Sequence, residues 1–166
     1  MWRELFDEYL ATSYNGGDCE FIINEGCDNG QIEYMVSQFK CRQTHELVSI
    51  YRDCDGFGVL HEVGYVECFL PASSKLQGVI EKAALWFAET HEDIANRFLP
   101  IYDWNDGNFT GYLRGESGTL EDESVYTFYH DMYYHEEGQS WDEFIIYEES
   151  SFEKFILRVI EDVLNA

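Results

Sequence analysis

The sequence predicts an α+β domain: a largely antiparallel twisted sheet of about five or six strands, flanked by N-terminal helices, a central helix and a C-terminal helix. Three observations predict it. Apolar stripes at helical spacing occupy the start of the chain, recur once in the middle and close the sequence. Between the last two stripes, four short runs rich in Phe, Tyr, Ile and Val are separated by turn-forming residues, the texture of consecutive hairpins. Twelve Tyr, twelve Phe and four Trp in 166 residues supply large apolar area and favour strands.

The elements follow in order. Residues 2–12 place Trp2, Leu5, Phe6, Tyr9 and Leu10 on one helical face and Glu4, Asp7 and Glu8 on the other. The run "SYNGGD" ends that helix, and "CEFIIN" reads as a short extended segment. In "CDNGQIEYMVSQF", Asp28 or Asn29 is the N-cap and Ile32, Met35, Val36 and Phe39 form the apolar stripe. "THELVSIYRDC" is a third helix, capped by Thr44, with Leu47, Val48, Ile50, Tyr51 and Cys54 apolar; Asp55-Gly56 ends it. "FGVLHEVGYVECFLP" reads as one bent strand or two short ones. "SKLQGVIEKAALWFAETHEDI" is the central helix. "RFLPIY", "FTGYLR", "SVYTFYHD" and "DEFIIYEE" are strands, and the longest turn, "GESGTLEDES", reads as an exposed acidic loop. "SSFEKFILRVIEDVL" closes the chain, capped by Ser150 or Ser151, with Phe152, Phe155, Ile156, Val159, Ile160 and Val163 facing the core. The absence of repeats, low-complexity tracts and linkers makes residues 1–166 a single domain.

Charge narrows the function. The chain has 33 acids and 10 bases, a formal net charge of −23. Self-repulsion of that size works against the compact state, so it points to solubility, salt adaptation or a basic partner. Phosphate contacts need Lys and Arg, which disfavours nucleic acid and anionic membranes as partners. Residues 1–83 hold 14 acids and 6 bases, whereas residues 84–166 hold 19 acids and 4 bases. An electrostatic partner surface is therefore expected in the C-terminal half. Five cysteines, an odd number without a CxxC pair, indicate free thiols in a reducing cytosol and no disulfide framework or zinc site. The charged, amphipathic "MWRELFDEYL" is not a signal peptide, and no apolar run nears the roughly 20 residues of a membrane helix. A cytoplasmic protein is expected.

The stretch "FLPIYDWNDGNFTGYL", residues 98–113, reads as strand, tight turn and strand, with Asp103, Asn105, Asp106 and Asn108 crowded into the turn. They form either an acidic binding site or a solvated hairpin tip. The order of a helix bearing "QIEYM", then "THELVSIYRDCDGFG", "FLPIYDWNDGNFTGYL", "SVYTFYHD" and "SSFEKFILRVI" resembles the SUKH superfamily over residues 28–160. That superfamily takes in the Smi/Knr-type cell-wall regulators of fungi, the Syd proteins and many bacterial immunity proteins. The sequence departs from the pattern where "CRQTHEL" replaces an "LP" and where Arg114-Gly115 replaces an acid after the second hairpin strand. Both departures bear on the subfamily and so on the partner. The resemblance implies that the Asp106-Gly107 hairpin is a fold element, that the chain binds another protein, and that no catalytic residue carries over.

Chemistry has few footholds. In "YHDMYYHEE", His130, Asp131, His135, Glu136 and Glu137 would form a metal site only if a turn brought both histidines together, since positions five apart on a strand face opposite ways. The alternative is a solvated hairpin whose Tyr133 and Tyr134 cover the sheet. Paired carboxylates such as Glu92-Asp93 arise readily among 33 acids. Cys54, between Asp53 and Asp55, has its thiolate disfavoured by neighbouring charge. No GxSxG, P-loop or GxGxxG is present. Neither catalytic residues nor a cofactor or metal site are assigned.

The acidic, folded chain without a catalytic set is expected to be a non-enzymatic protein-binding domain; the resemblance implies an immunity protein that neutralises a toxin domain, expected to be basic, as a nuclease would be. The alternative is a regulatory or scaffold module that binds a basic segment of a membrane or signalling protein. The chain itself is expected to be a monomer or weak homodimer. Acids beside exposed aromatics suit a basic protein surface, because charge steers the encounter and aromatic rings anchor it. The expected contact residues are Glu121, Asp122, Glu123, Glu136, Glu137, Asp142 and Glu143, with Tyr133, Tyr134 and Trp141 as anchors.

Overall fold

A computed structural model describes residues 1–14 and 17–166. Asn15 and Gly16, part of the expected first helix stop, lie outside the described residues. The chain runs α1 (Trp2–Ser13), β1 (Cys19–Ile23), α2 (Asn29–Phe39), α3 (Glu46–Asp53), β2 (Phe57–His61), β3 (Val66–Leu70), α4 (Leu76–Phe87), α5 (Glu92–Arg97), β4 (Phe98–Asp103), β5 (Phe109–Leu113), β6 (Val125–Phe128), β7 (Ile145–Glu149) and α6 (Phe152–Asn165). This is an α+β arrangement with antiparallel strands. Its strands number seven among the described residues, divided between two meanders, β1-β2-β3 and β4-β5-β6-β7.

Helix boundaries follow from caps. The Asp28 side chain accepts from the Gln31 amide while the Gln31 side chain accepts from the Asp28 amide, so α2 opens on a capping box. Ser151 caps α6 by accepting from the Lys154 amide. The cap of α3 differs from expectation: Thr44 is exposed, and His45, extended at φ −66°, reaches back so that its Nδ1 accepts from Leu47 N at 3.0 Å. Along α6, Phe152, Phe155, Ile156 and Ile160 are buried, but Val163 is 41% exposed because the helix outruns the surface it packs on.

The second sheet separates two cores. Leu99, Tyr102, Tyr112 and Val125 face a large core shared with α1, α2, α3 and α6. Phe98, Phe109, Leu113, Phe128 and Ile145 face a smaller core with Ala83 and Phe87 of α4 and Ile94 of α5. Leu99 and Tyr102 are three residues apart, and a regular strand would point them to opposite faces. The register slips between Pro100 and Tyr102, and this bulge lets both reach the larger core. Opposite the bulge stands Gly111, where an added Cβ would lie 2.0 Å from Leu99 O. Only glycine admits so close a strand.

The crowded turn between β4 and β5 is occupied by its own hydrogen bonds. Asp103 Oδ1 accepts from Asn105 N at 2.8 Å, and Asp106 Oδ1 accepts from Asn108 N at 2.9 Å. Asn108 Oδ1 accepts from His130 N at 3.0 Å, and Lys82 Nζ pairs with Asp103 at 2.7 Å. Gly107, at φ +100°, supplies the turn conformation. Asp103, Asn105, Asp106 and Asn108 are thus structural fixtures of a hairpin.

Candidate functional site

Between Arg114 and Lys154 the chain carries twelve acids and neither Lys nor Arg. This stretch forms β6, β7 and the two connections around them, and it contains every contact residue expected from the sequence. The structure divides those residues between the two connections.

The first connection, residues 114–124, is less free than expected. Leu120 is fully buried and pairs with Cys41, its amide donating to Lys40 O at 3.0 Å. Glu123 Oε1 accepts from Glu46 N at 2.9 Å, satisfying an amide in the first turn of α3. His45 Nε2 donates to Asp122 O at 3.0 Å, since its Nδ1 is already an acceptor. Glu46 in turn accepts from Tyr112 Oη at 3.0 Å, Phe152 N at 2.8 Å and Glu153 N at 3.0 Å. One buried carboxylate thereby joins α3, β5 and the start of α6. Burial pushes the Glu46 carboxyl upward from its ordinary range, and the two backbone donors and the Tyr112 hydroxyl offset that rise. Glu123 is therefore a capping residue, a correction to its reading as a free contact in a solvated loop. Glu121 and Asp122 remain exposed; Glu121 pairs with Arg42 at 3.0 Å.

The second connection, residues 129–144, is a long excursion pinned at its base. Tyr133 is 5% exposed and packs among Phe87, Phe128 and Phe144, with its hydroxyl bonded to Thr90. It is a core residue, not a surface anchor, because the chain turns inward through a 3₁₀ turn at His130–Met132 before it. The buried Gln139 closes the loop: its Nε2 donates to Met132 O at 2.7 Å and its Oε1 accepts from Tyr134 N at 3.0 Å. His91 Nε2 donates to Gln139 O at 2.7 Å. Held this way, the tip presents Tyr134, 66% exposed, beside the exposed Glu136 and Glu137. Asp142 and Glu143 are exposed on a second 3₁₀ turn, Trp141–Glu143.

The histidines of "YHDMYYHEE" are used locally. His130 Nδ1 lies 2.9 Å from Asn108 Oδ1, and His135 packs its ring on Tyr133 with centroids 4.5 Å apart. Among the described residues no group of three His, Cys, Asp or Glu side chains is placed to hold a metal ion. The Cys54 thiol is fully buried and pushed up to about 12, chiefly by burial, so it is protonated at neutral pH.

Glu121, Asp122 and Trp141, distant in sequence, meet in one cavity of about 440 Å³. Its remaining wall includes Arg97, Arg114 and Tyr126, which sequence reasoning did not select. In the sequence Arg114 stands out only as a departure from the SUKH-like pattern, and nothing there brings it to Arg97. The pairing of β4 with β5 does so, because Phe98 and Leu113 are partners and their neighbours Arg97 and Arg114 extend the ladder by one step.

A scan of protein-family models and a search of curated proteins find no match for this chain. Among the described residues, no helix is long and apolar enough to cross a membrane.

Proposed function

We propose that the chain is a protein-binding domain that docks a basic protein surface on the acidic face formed by residues 129–143. One observation carries this reading. Asp131, Glu136, Glu137, Asp142 and Glu143 are exposed, as are Tyr134 and Met132 of the same short stretch, which has neither Lys nor Arg. Among the described residues, only Asp131 of these five has a partner within ion-pair distance, the neighbouring His130 at 3.0 Å. Uncompensated charge around apolar anchors favours fast, oriented association with a surface of opposite sign. The loop that bears it is hydrogen-bonded at its base and open at its tip, as binding loops often are.

The partner we propose is a toxin domain, neutralised by masking. The resemblance to the SUKH superfamily supplies that identity, and the charge supplies only the sign of the partner's surface. Co-expression with a basic toxin domain encoded beside this chain tests it: complex formation and rescued growth are expected, and a complete lack of both defeats the toxin reading. The charge reading has its own test. The quadruple reversal of Glu136, Glu137, Asp142 and Glu143 to lysine should slow association at least tenfold, and added salt should slow the original toward the variant. An on-rate indifferent to both would remove this face from consideration.

A further inference from the structure

Four of the ten basic residues gather around one loop. Lys40 Nζ lies 4.0 Å from where a Cβ on Gly118 would stand, Arg42 pairs with Glu121, and Arg97 and Arg114 line the cavity beside the loop. Arg97 and Arg114 are unusual in this molecule. Among the described residues neither guanidinium has a carboxylate within ion-pair distance, although the chain holds 33 acids.

The two arginines are nonetheless held in place by backbone carbonyls. Arg114 donates from Nε to Phe39 O at 3.4 Å and from Nη1 to Asn96 O at 3.3 Å; Arg97 donates from Nε to Arg114 O at 3.1 Å. Among the described residues, neither terminal nitrogen of Arg97 and not Nη2 of Arg114 has a hydrogen-bond partner, and no side-chain nitrogen is both buried and unpaired, so these N–H groups face solvent. Positioned forks with free donors have already met much of the ordering cost of binding an anion. Burial lowers the pKa of Arg114, the mark of a cation drawn partly out of water, where an opposite charge is worth more.

We propose that this cleft binds a single carboxylate attached to an apolar or aromatic body. Arg97 and Arg114 receive the carboxylate, and Trp141 and Tyr126 cover the body. Planar guanidinium forks match a carboxylate in two-point hydrogen bonding. The acids on the wall do not fill that role, because Glu121 is paired with Arg42 and Asp122 Oδ1 accepts from Ser124 N at 2.8 Å. They do select among ligands. A phosphate dianion would feel their repulsion, and that of the strongly negative molecule, about twice as strongly as a carboxylate does. The cavity's 440 Å³ suits a side chain or a short peptide end. The inference does not rest on the basic partner proposed above, although Trp141 belongs to both surfaces, and it is tested on the isolated full chain.

Four probes decide it by calorimetry and amide chemical shifts: acetyl-glycyl-phenylalanine with a free C-terminus, its C-terminal amide, acetyl-glutamyl-phenylalanine amide, and inorganic phosphate. One or both carboxylate peptides should bind and shift residues 114–122 and Trp141, while the neutral amide should not. Binding of the free acid alone identifies a chain terminus as the source; binding of the glutamyl peptide alone identifies a side chain. Arg97→Gln should weaken binding at least tenfold at unchanged melting temperature, with Arg97→Lys recovering part of it. Should Arg97→Gln fail to fold, Ser117→Glu, on the exposed loop, should weaken binding to the same degree by offering the arginines an internal carboxylate. The proposal is overturned if neither carboxylate peptide binds, if the amide binds equally, if inorganic phosphate binds as tightly, or if the folded variants bind like the original.

Discussion

The two sheets are built from similar residues and meet different fates. Every residue of β4 and β5 is buried, because α4 and α5 cover one face of that sheet and α1, α3 and α6 lie beyond the other. The three-stranded sheet is covered on one side only. Phe57, Val59 and Phe69 point into the larger core, while its other face and its β2–β3 hairpin are open, with Val63 at 89% exposure. The difference lies in layering. Strand-forming sequence makes a sheet, and the helices available to cover it decide how much each side chain contributes.

This contrast can be broken at its strongest point. Gly111→Ala forces a Cβ against the Leu99 carbonyl of the neighbouring strand, which cannot rotate away. A loss of about 3 kcal/mol or more in urea denaturation is expected, from overpacking against backbone. A loss near zero would mean that the sheet is looser than its burial implies.

The next largest effect tests how the buried sheet is tied to its helices. Glu46→Ala strands Tyr112 Oη and the Phe152 and Glu153 amides together. About 2–4 kcal/mol should be lost, while Glu46→Gln, which keeps one acceptor oxygen, should lose roughly half of that. Equal losses would show that charge, not acceptor geometry, is what the site requires.

A smaller effect is set by pH. His45 must stay neutral to cap α3, and burial lowers its pKa below the ordinary 6.5. The unfolded chain takes up a proton that the folded chain refuses. The contribution is therefore complete above the unfolded value of 6.5, and it is lost as pH falls from there toward the lower folded value. His45→Asn retains a capping oxygen and no titration. Relative to that variant, the original should lose stability between pH 7 and pH 5; parallel pH curves would refute the assignment. The smallest effect belongs to the open hairpin. Val63→Thr should change stability by no more than about 0.5 kcal/mol, and a larger loss would show that the hairpin has a partner surface within the fold.

Much of the fold could be read along the chain. The α1 stripe, the α2 and α6 caps to within one residue (Asp28 and Ser151, from the pairs Asp28/Asn29 and Ser150/Ser151) and the four strands of the second sheet are local patterns, set by spacing and by side chains that bond to nearby backbone. The contact residues were legible only in part. Tyr134, Glu136, Glu137, Asp142 and Glu143 are exposed as their polarity suggests, but Tyr133, one residue from Tyr134, is buried. Composition does not distinguish adjacent tyrosines; the inward turn before Tyr133 and the Gln139 clamp do.

By itself the sequence determined the charge, the element types and the acidic C-terminal half, because these depend on composition and on neighbours a few residues apart. Only the tertiary structure decided that Glu123 caps a helix 77 residues away, that Glu46 joins three elements, and that Arg97 and Arg114 share one cleft with Trp141. Those outcomes depend on which distant groups arrive at the same place. A buried polar group must bond to whatever the packing brings within reach, and that partner carries no mark in the sequence nearby.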